Sequence, residues 1–436
     1  MTTAAAFLGG ARERLLPASL PFGFFACAIL FHLAMWVVLA IAAPVVPDFA
    51  GGPGLPLAAL HLLTLGVLAA TAMGAAFQLL PVATRQPLAA LWPARLAFWL
   101  FAPGVAILVT GMATIRLDAM AVGGLAVAAG LVVFGLLIGD NLRRVRDLPL
   151  VAAHGWLALL SLAALIGLGL ALIMDFEIGF LPDHGAAARA HMILATYGFM
   201  GMLVAAFSQV LVPMFALSKA PGRALGWTQF VFSGLALATG VIGALALNTA
   251  VLAAAALLGL VAAGAHLWAM GTMMRQRMRK AMGLSFALIR LAWVFLPLSL
   301  IMALAALFGL TGARGTLLFG FTLLFGWLLT FLLGILQRII PFLAALQAAK
   351  AGRRMPMTAD LTSTSALRLH ALCHVGALTL VVIGLAAGEA EILRAGAVLG
   401  AVGAAAFAYF GFVVMWRMAA APDSKPRDAG GQHVGQ

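Results

Sequence analysis

From Leu20 onward the chain is a succession of apolar runs of about twenty residues joined by short polar loops, the length that a helix needs to cross a bilayer. Twelve such runs start near Leu20, Leu55, Leu96, Ala119, Leu150, Ala188, Gly226, Thr249, Met282, Leu317, Ala366 and Ile392. In hydrocarbon every backbone N–H and C=O must find its partner within the segment, so runs of this length dictate helices. The expected class is an all-α integral membrane protein with twelve transmembrane helices in a single transmembrane domain, residues 1–420. Its 64% hydrophobic and 9% charged residues are far from soluble usage. Residues 421–436 are polar and contain Gly and Pro, and are expected to form a disordered tail. Two cysteines, Cys27 and Cys373, exclude a disulfide framework.

The charges order the loops. Loops expected inside carry Arg12 and Arg14, Arg85 and Arg95, then Arg143, Arg144 and Arg146. Lys219 and Arg223 follow, then Arg275, Arg277, Arg279 and Lys280, and finally Lys350, Arg353, Arg354 and Arg368 before the basic C-terminus. The alternate loops hold only Arg116, Arg189, Arg314 and Arg394, together with Asp48, Asp118, Asp175, Glu177, Asp183, Glu389 and Glu391. Every second loop is basic, which satisfies the positive-inside rule with both termini cytoplasmic. The net charge of +13 is therefore assigned to the membrane surface, and no nucleic-acid partner is expected. Arg12 and Arg14 precede the first apolar run without a small-residue cleavage site, so that span is expected to be retained.

A pattern recurs three times along the chain. Gly66, Gly74, Gln78 and Pro81 are matched by Gly198, Ala206, Gln209 and Pro213, and again by Gly326, Gly334, Gln337 and Pro341. In each copy Pro falls 15 residues, and the middle small residue 8 residues, after the first Gly, whereas Gln falls 12, 11 and 11 after it. The copies lie on the second, sixth and tenth spans and define three pseudo-symmetric four-helix units, roughly 1–147, 148–281 and 282–420. Small residues let helices approach closely in lipid, so the glycines are either packing positions or clearance for a flat cofactor. His61 and His191 precede the first Gly in two copies, by 5 and 7 residues; the third has none.

His61, Gly66, Gly74 and Pro81 give H-x4-G-x7-G-x6-P on one span, which resembles the haem-bearing helix of subunit I in the haem–copper oxidase superfamily, most closely its nitric-oxide-reductase and C-type branches. Those proteins also have twelve spans in three groups of four. The resemblance implies haem b with His61 as an axial ligand and Gly66 and Gly74 beside it. A neutral imidazole suits this role because it brings no charge into the membrane. The chain departs from the family at Ala59, where the H-x-H pair would need a histidine, and in having no adjacent His-His pair. A binuclear centre is therefore not expected, nor is a terminal oxidase or nitric-oxide reductase. The expected likeness is to non-catalytic, NnrS-type haem and copper proteins of the bacterial cytoplasmic membrane. The role would be electron transfer, nitric-oxide response or cofactor handling, with a redox partner or second subunit.

Each histidine also has a bland reading. His61 is either a ligand or a buried histidine satisfied by a neighbouring helix, and an ionisable residue inside a span makes function the working hypothesis. By depth its ligand partner is His191 or, less well placed, His32. His370 and His374 stand at i and i+4 on one helical face and can hold copper, unless they form only an inner-interface cluster. The competing class is a twelve-helix secondary transporter of a small solute or metal, disfavoured by the threefold repeat and by the lack of intramembrane carboxylates. The topology makes a direct prediction. In a variant freed of Cys27 and Cys373, Asp118→Cys reacts with a membrane-impermeant maleimide in intact spheroplasts. Asp147→Cys reacts only after permeabilisation, and the opposite pattern would invert the chain.

Overall fold

The structure is a computed structural model that describes residues 14–422. The expected tail is thus almost wholly outside the described residues, as are Arg12 and His433. Among the described residues twelve helices are long and apolar enough to cross a membrane. They are α1 Ser19–Ala42, α2 Leu55–Thr84, α3 Trp92–Thr114, α4 Leu117–Arg143, α5 Pro149–Ile178 and α6 His184–Ala216. The second half comprises α7 Arg223–Leu245, α8 Thr249–Arg275, α9 Gly283–Leu307, α10 Gly315–Lys350, α11 Thr364–Ala387 and α12 Ala390–Ala419. A four-residue helix, Thr358–Leu361, precedes α11.

Consecutive helices pack side by side, and α12 returns against α1 to close a ring. Within the ring α2, α6 and α10 stand at the centre. In their most apolar stretches 61%, 83% and 89% of residues are buried, against at most 50% in any other span. The outer helices turn Leu30, Trp99, Leu160, Trp268, Val294, Leu372 and Phe412 outwards, the apolar surface that a bilayer covers.

The three central helices share a distortion. Each contains a π-helical segment, at Leu62–Ala69, Leu194–Met200 and Thr322–Leu329, and each segment encloses the first Gly of the repeat. A π-segment inserts one residue into the helical ladder and re-aims the side chains beyond it. The segment of α10 touches those of both α2 and α6. Pro81, Pro213 and Pro341 lie inside the helices rather than ending them.

The glycines explain the spacing. A Cβ on Gly66 would sit 2.8 Å from Phe31, on Gly198 2.6 Å from the Ser161 hydroxyl, and on Gly326 2.6 Å from the Phe295 ring. Each central helix is therefore pressed onto the helix before it, α1, α5 or α9, at the same point of the repeat. A second triad appears at the hairpins α3–α4, α7–α8 and α11–α12. A Cβ on Gly111, Gly243 or Gly384 would meet the backbone N of Met120, Leu252 or Leu393 at 2.7, 2.9 and 2.5 Å, nine residues on in each case. All three hairpins thus cross by backbone contact at equivalent positions.

Substitution at these crossings requires helices to separate, because no flexible side chain can yield. Gly111→Val, Gly243→Val and Gly384→Val should each destabilise the protein by about 1–3 kcal/mol, the usual cost of overpacking. Gly264→Val, where a Cβ meets nothing within 4 Å, should cost far less. Thermal unfolding followed by size-exclusion in detergent measures the difference.

Candidate functional site

Seven of the nine histidines gather into three groups inside the ring. His61 and His191 lie on α2 and α6. Their rings are within electrostatic range of one another. The Nδ1–H of His61 donates to the Leu57 carbonyl at 3.0 Å, which leaves Nε2 with its lone pair. The His191 ring fits against α5 where Gly169 has no side chain; a Cβ there would stand 3.1 Å from His191 Cε1. His191 Nδ1 is buried without a hydrogen-bond partner.

The second group joins α1, α10, α11 and α12. Trp36 Nε1 donates to His32 Nε2 at 3.0 Å. His370 Nδ1 donates to the Gly403 carbonyl at 3.1 Å. The Thr330 hydroxyl gives its proton to Phe325 O at 2.8 Å, so it accepts one from His374 Nε2, also at 2.8 Å. The ring centroids of His32 and His370 are 6.3 Å apart, and those of His370 and His374, stacked, 5.7 Å. Two nitrogens remain buried and unpartnered, His32 Nδ1 and His370 Nε2. Phe407 and Phe325 close the space around these rings. With no carboxylate beside them the imidazoles stay neutral, since an isolated charge here would be prohibitively costly.

The structure therefore brings His32 together with His370 and His374 rather than with His61. Of the pair expected to hold copper, each ring has one nitrogen engaged, by Thr330 or by Gly403. Among the described residues no group of three or more His, Cys, Asp or Glu is arranged to hold a metal ion. The clearance expected at Gly66 and Gly74 is filled by Phe31 and Phe24, whose Cβ atoms would lie 2.8 and 2.7 Å from an added methyl. Both glycines serve helix contact, the packing alternative that the sequence left open.

The third group was not visible in the sequence as a site. His154 on α5 bonds the Leu150 carbonyl through Nδ1 at 2.8 Å and Gln229 on α7 through Nε2 at 2.7 Å. It is the Oε1 of Gln229 that faces the ring, and its amide nitrogen donates to the Ser233 hydroxyl at 3.0 Å; the single N–H of a neutral imidazole serves one of the two acceptors, Leu150 O or Gln229 Oε1. His266 on α8 is within electrostatic range of His154. It opens onto an apolar cavity of about 300 Å³ between α6 and α10, whose few polar groups include Arg189, Tyr197 and Gln229. Tyr197 stacks on Trp327 with 5.7 Å between centroids, and its hydroxyl meets Ser299 at 3.3 Å. No motif signalled this cavity, because its lining residues come from five helices.

Outside these groups, His184 pairs with Asp175 at 2.8 Å, and Asp183 caps α6 through the Ala186 N–H.

No family model and no curated protein matches the chain. A solved structure does: the cryo-EM structure of a haem–copper terminal oxidase dimer superposes with a TM-score of 0.67 over 94% of this chain and 86% of that one, at 12% identity. The class that the architecture defines is thus an integral membrane protein with a haem–copper oxidase subunit I-like fold. At 12% identity the likeness establishes the fold alone.

The His154–Gln229 bond gives a measurable expectation. Gln229→Leu leaves a buried imidazole nitrogen unpaired and should cost about 1–3 kcal/mol, as such orphaned groups do. The double variant His154→Leu/Gln229→Leu should recover part of that loss in thermal unfolding, whereas additive losses would mean that the bond contributes nothing.

Proposed function

We propose that this protein binds haem between the central helices, with His61 and His191 as the axial pair, and that it is not by itself a terminal oxidase or nitric-oxide reductase. The observation that carries the reading is the pairing of these two imidazoles. One is oriented by a backbone carbonyl so that Nε2 is free, and the other is buried with an unpartnered nitrogen. Orienting one ring nitrogen by a hydrogen bond to fix the tautomer is what ligating histidines ordinarily show. The oxidase-like fold agrees with it.

When bound, haem supplies electron-transfer and gas-binding chemistry. The residues of this chain set its surroundings. Leu57 O fixes the tautomer of His61, Gly169 admits the His191 ring, and the apolar helices keep water out. Copper at His370 and His374 forms the weaker half of the proposal, since His374 would have to release Thr330. The absence of an adjacent His-His pair supports a role in electron transfer, gas response or cofactor handling, as in NnrS-type proteins. One observation favours a second reading: the cavity under Arg189 and His266 suits a small amphipathic solute, as a transporter would need.

An absorption spectrum of protein purified from haem-replete cells separates the two. A Soret band is expected, abolished by His61→Ala or His191→Ala and kept in His266→Ala. Loss in His266→Ala alone would move the haem to the cavity. A folded, colourless preparation would support the solute reading.

A further inference from the structure

The face of the molecule that carries the arginine-rich loops holds a second pocket, of about 560 Å³. Its walls are the end of α6, the start of α9, the middle of α10, the short helix Thr358–Leu361 and the start of α11. Three helix ends meet at its mouth, so it lies at the level of lipid headgroups rather than in hydrocarbon. Three arginines line it, Arg279, Arg338 and Arg368. Arg338 is held in place: its Nε donates to the Ser285 hydroxyl at 2.7 Å, another of its nitrogens to the Met282 carbonyl, and its plane lies over Phe286. Arg279 is close enough for the two charges to repel. No ion pair among the described residues involves any of the three. The one acid nearby, Asp360, belongs to the short helix but does not line the pocket.

Beside Arg338 stands Gln337, 5% exposed, with both its amide nitrogen and its amide oxygen buried and unpartnered. In the first repeat Gln78 is half-satisfied: its Oε1 accepts the Leu16 N–H at 3.1 Å, while its own amide nitrogen is likewise buried and unpartnered. Gln337 has a protein partner on neither amide atom. Thr358, Thr362 and Thr364 add hydroxyls to the rim. The pocket is rich in donors and cations and contains no carboxylate, a composition that an oxyanion completes. Planar guanidinium forks match phosphate in particular.

We infer that this pocket binds a phosphate group at the basic face of the membrane, either the headgroup of an anionic phospholipid or a soluble phosphate. Bound there, the anion ties α6, α9, α10 and α11 together at the inner side of Pro341. The inference is independent of haem.

The test uses the full-length protein in nanodiscs. In discs of phosphatidylcholine alone, melting temperature is followed on addition of inorganic phosphate at constant ionic strength; parallel discs contain phosphatidylglycerol. The comparison variant is Arg279→Gln/Arg368→Gln, chosen because Arg338 also anchors Met282 and Ser285; Gln337→Leu serves as a milder second variant. A rise in melting temperature is expected, weakened at least tenfold in ligand concentration by the double variant. A rise with phosphatidylglycerol only assigns a lipid headgroup, and a rise with free phosphate assigns a soluble ligand. No rise in either arm, or an equal rise in the double variant and Gln337→Leu, overturns the site.

Discussion

The contact on which the rest of the molecule depends is the seating of three distorted central helices against their predecessors. Lipid offers no hydrophobic drive to hold helices together, so close van der Waals packing must do so. Gly66, Gly198 and Gly326 provide it, each inside a π-helical segment and each against α1, α5 or α9. The extra residue of a π-segment opens the ladder and changes the direction of the helix beyond, and the segment of α10 meets those of α2 and α6 at the centre. The nine outer helices can then close around the three central ones, which divide the ring into sectors.

Those sectors collect the imidazoles. A histidine inside a membrane has two nitrogens to satisfy and, without a carboxylate, no means of carrying charge cheaply. His374 places one nitrogen on Thr330, and His154 stands between the Leu150 carbonyl and Gln229. His191, His32 and His370 each keep one buried nitrogen unpartnered. Such groups are costly in a folded protein and persist where something else meets the cost. The pairing of His61 and His191 at matched depth on two central helices makes that sector the better candidate for a prosthetic group. The His32 group is instead closed by aromatic rings.

The sequence carried much of the architecture and less of the chemistry. The twelve spans and the threefold Gly-to-Pro repeat were legible because bilayer thickness and helix packing impose periods that survive in a single chain. The backbone crossings at Gly111, Gly243 and Gly384 were equally periodic but went unread, since a lone Gly in a chain with 48 glycines carries no mark of what it faces. Similar depth made His61 and His191 a candidate pair without showing which faces their helices turn. The nearness of His32 to His370 was not legible, because it depends on which face α1 turns to α11 and on α12 returning to close the ring. The π-segments left no trace in composition, and the cavity beside His266 and the pocket beside Gln337 are built from several helices each. The contacts of Gly66 with Phe31 and of Gly74 with Phe24 and Phe25 show what the motif's spacing marked: a close helix contact.

If the sector between α2 and α6 is built around a ligand held by two imidazoles, an experimental density map of the protein isolated from its native membrane will show flat density between His61 and His191, with a metal centre in contact with His61 Nε2. Continuous density for lipid tails or side chains in that sector, with both imidazoles bonded only to protein or water, would contradict it.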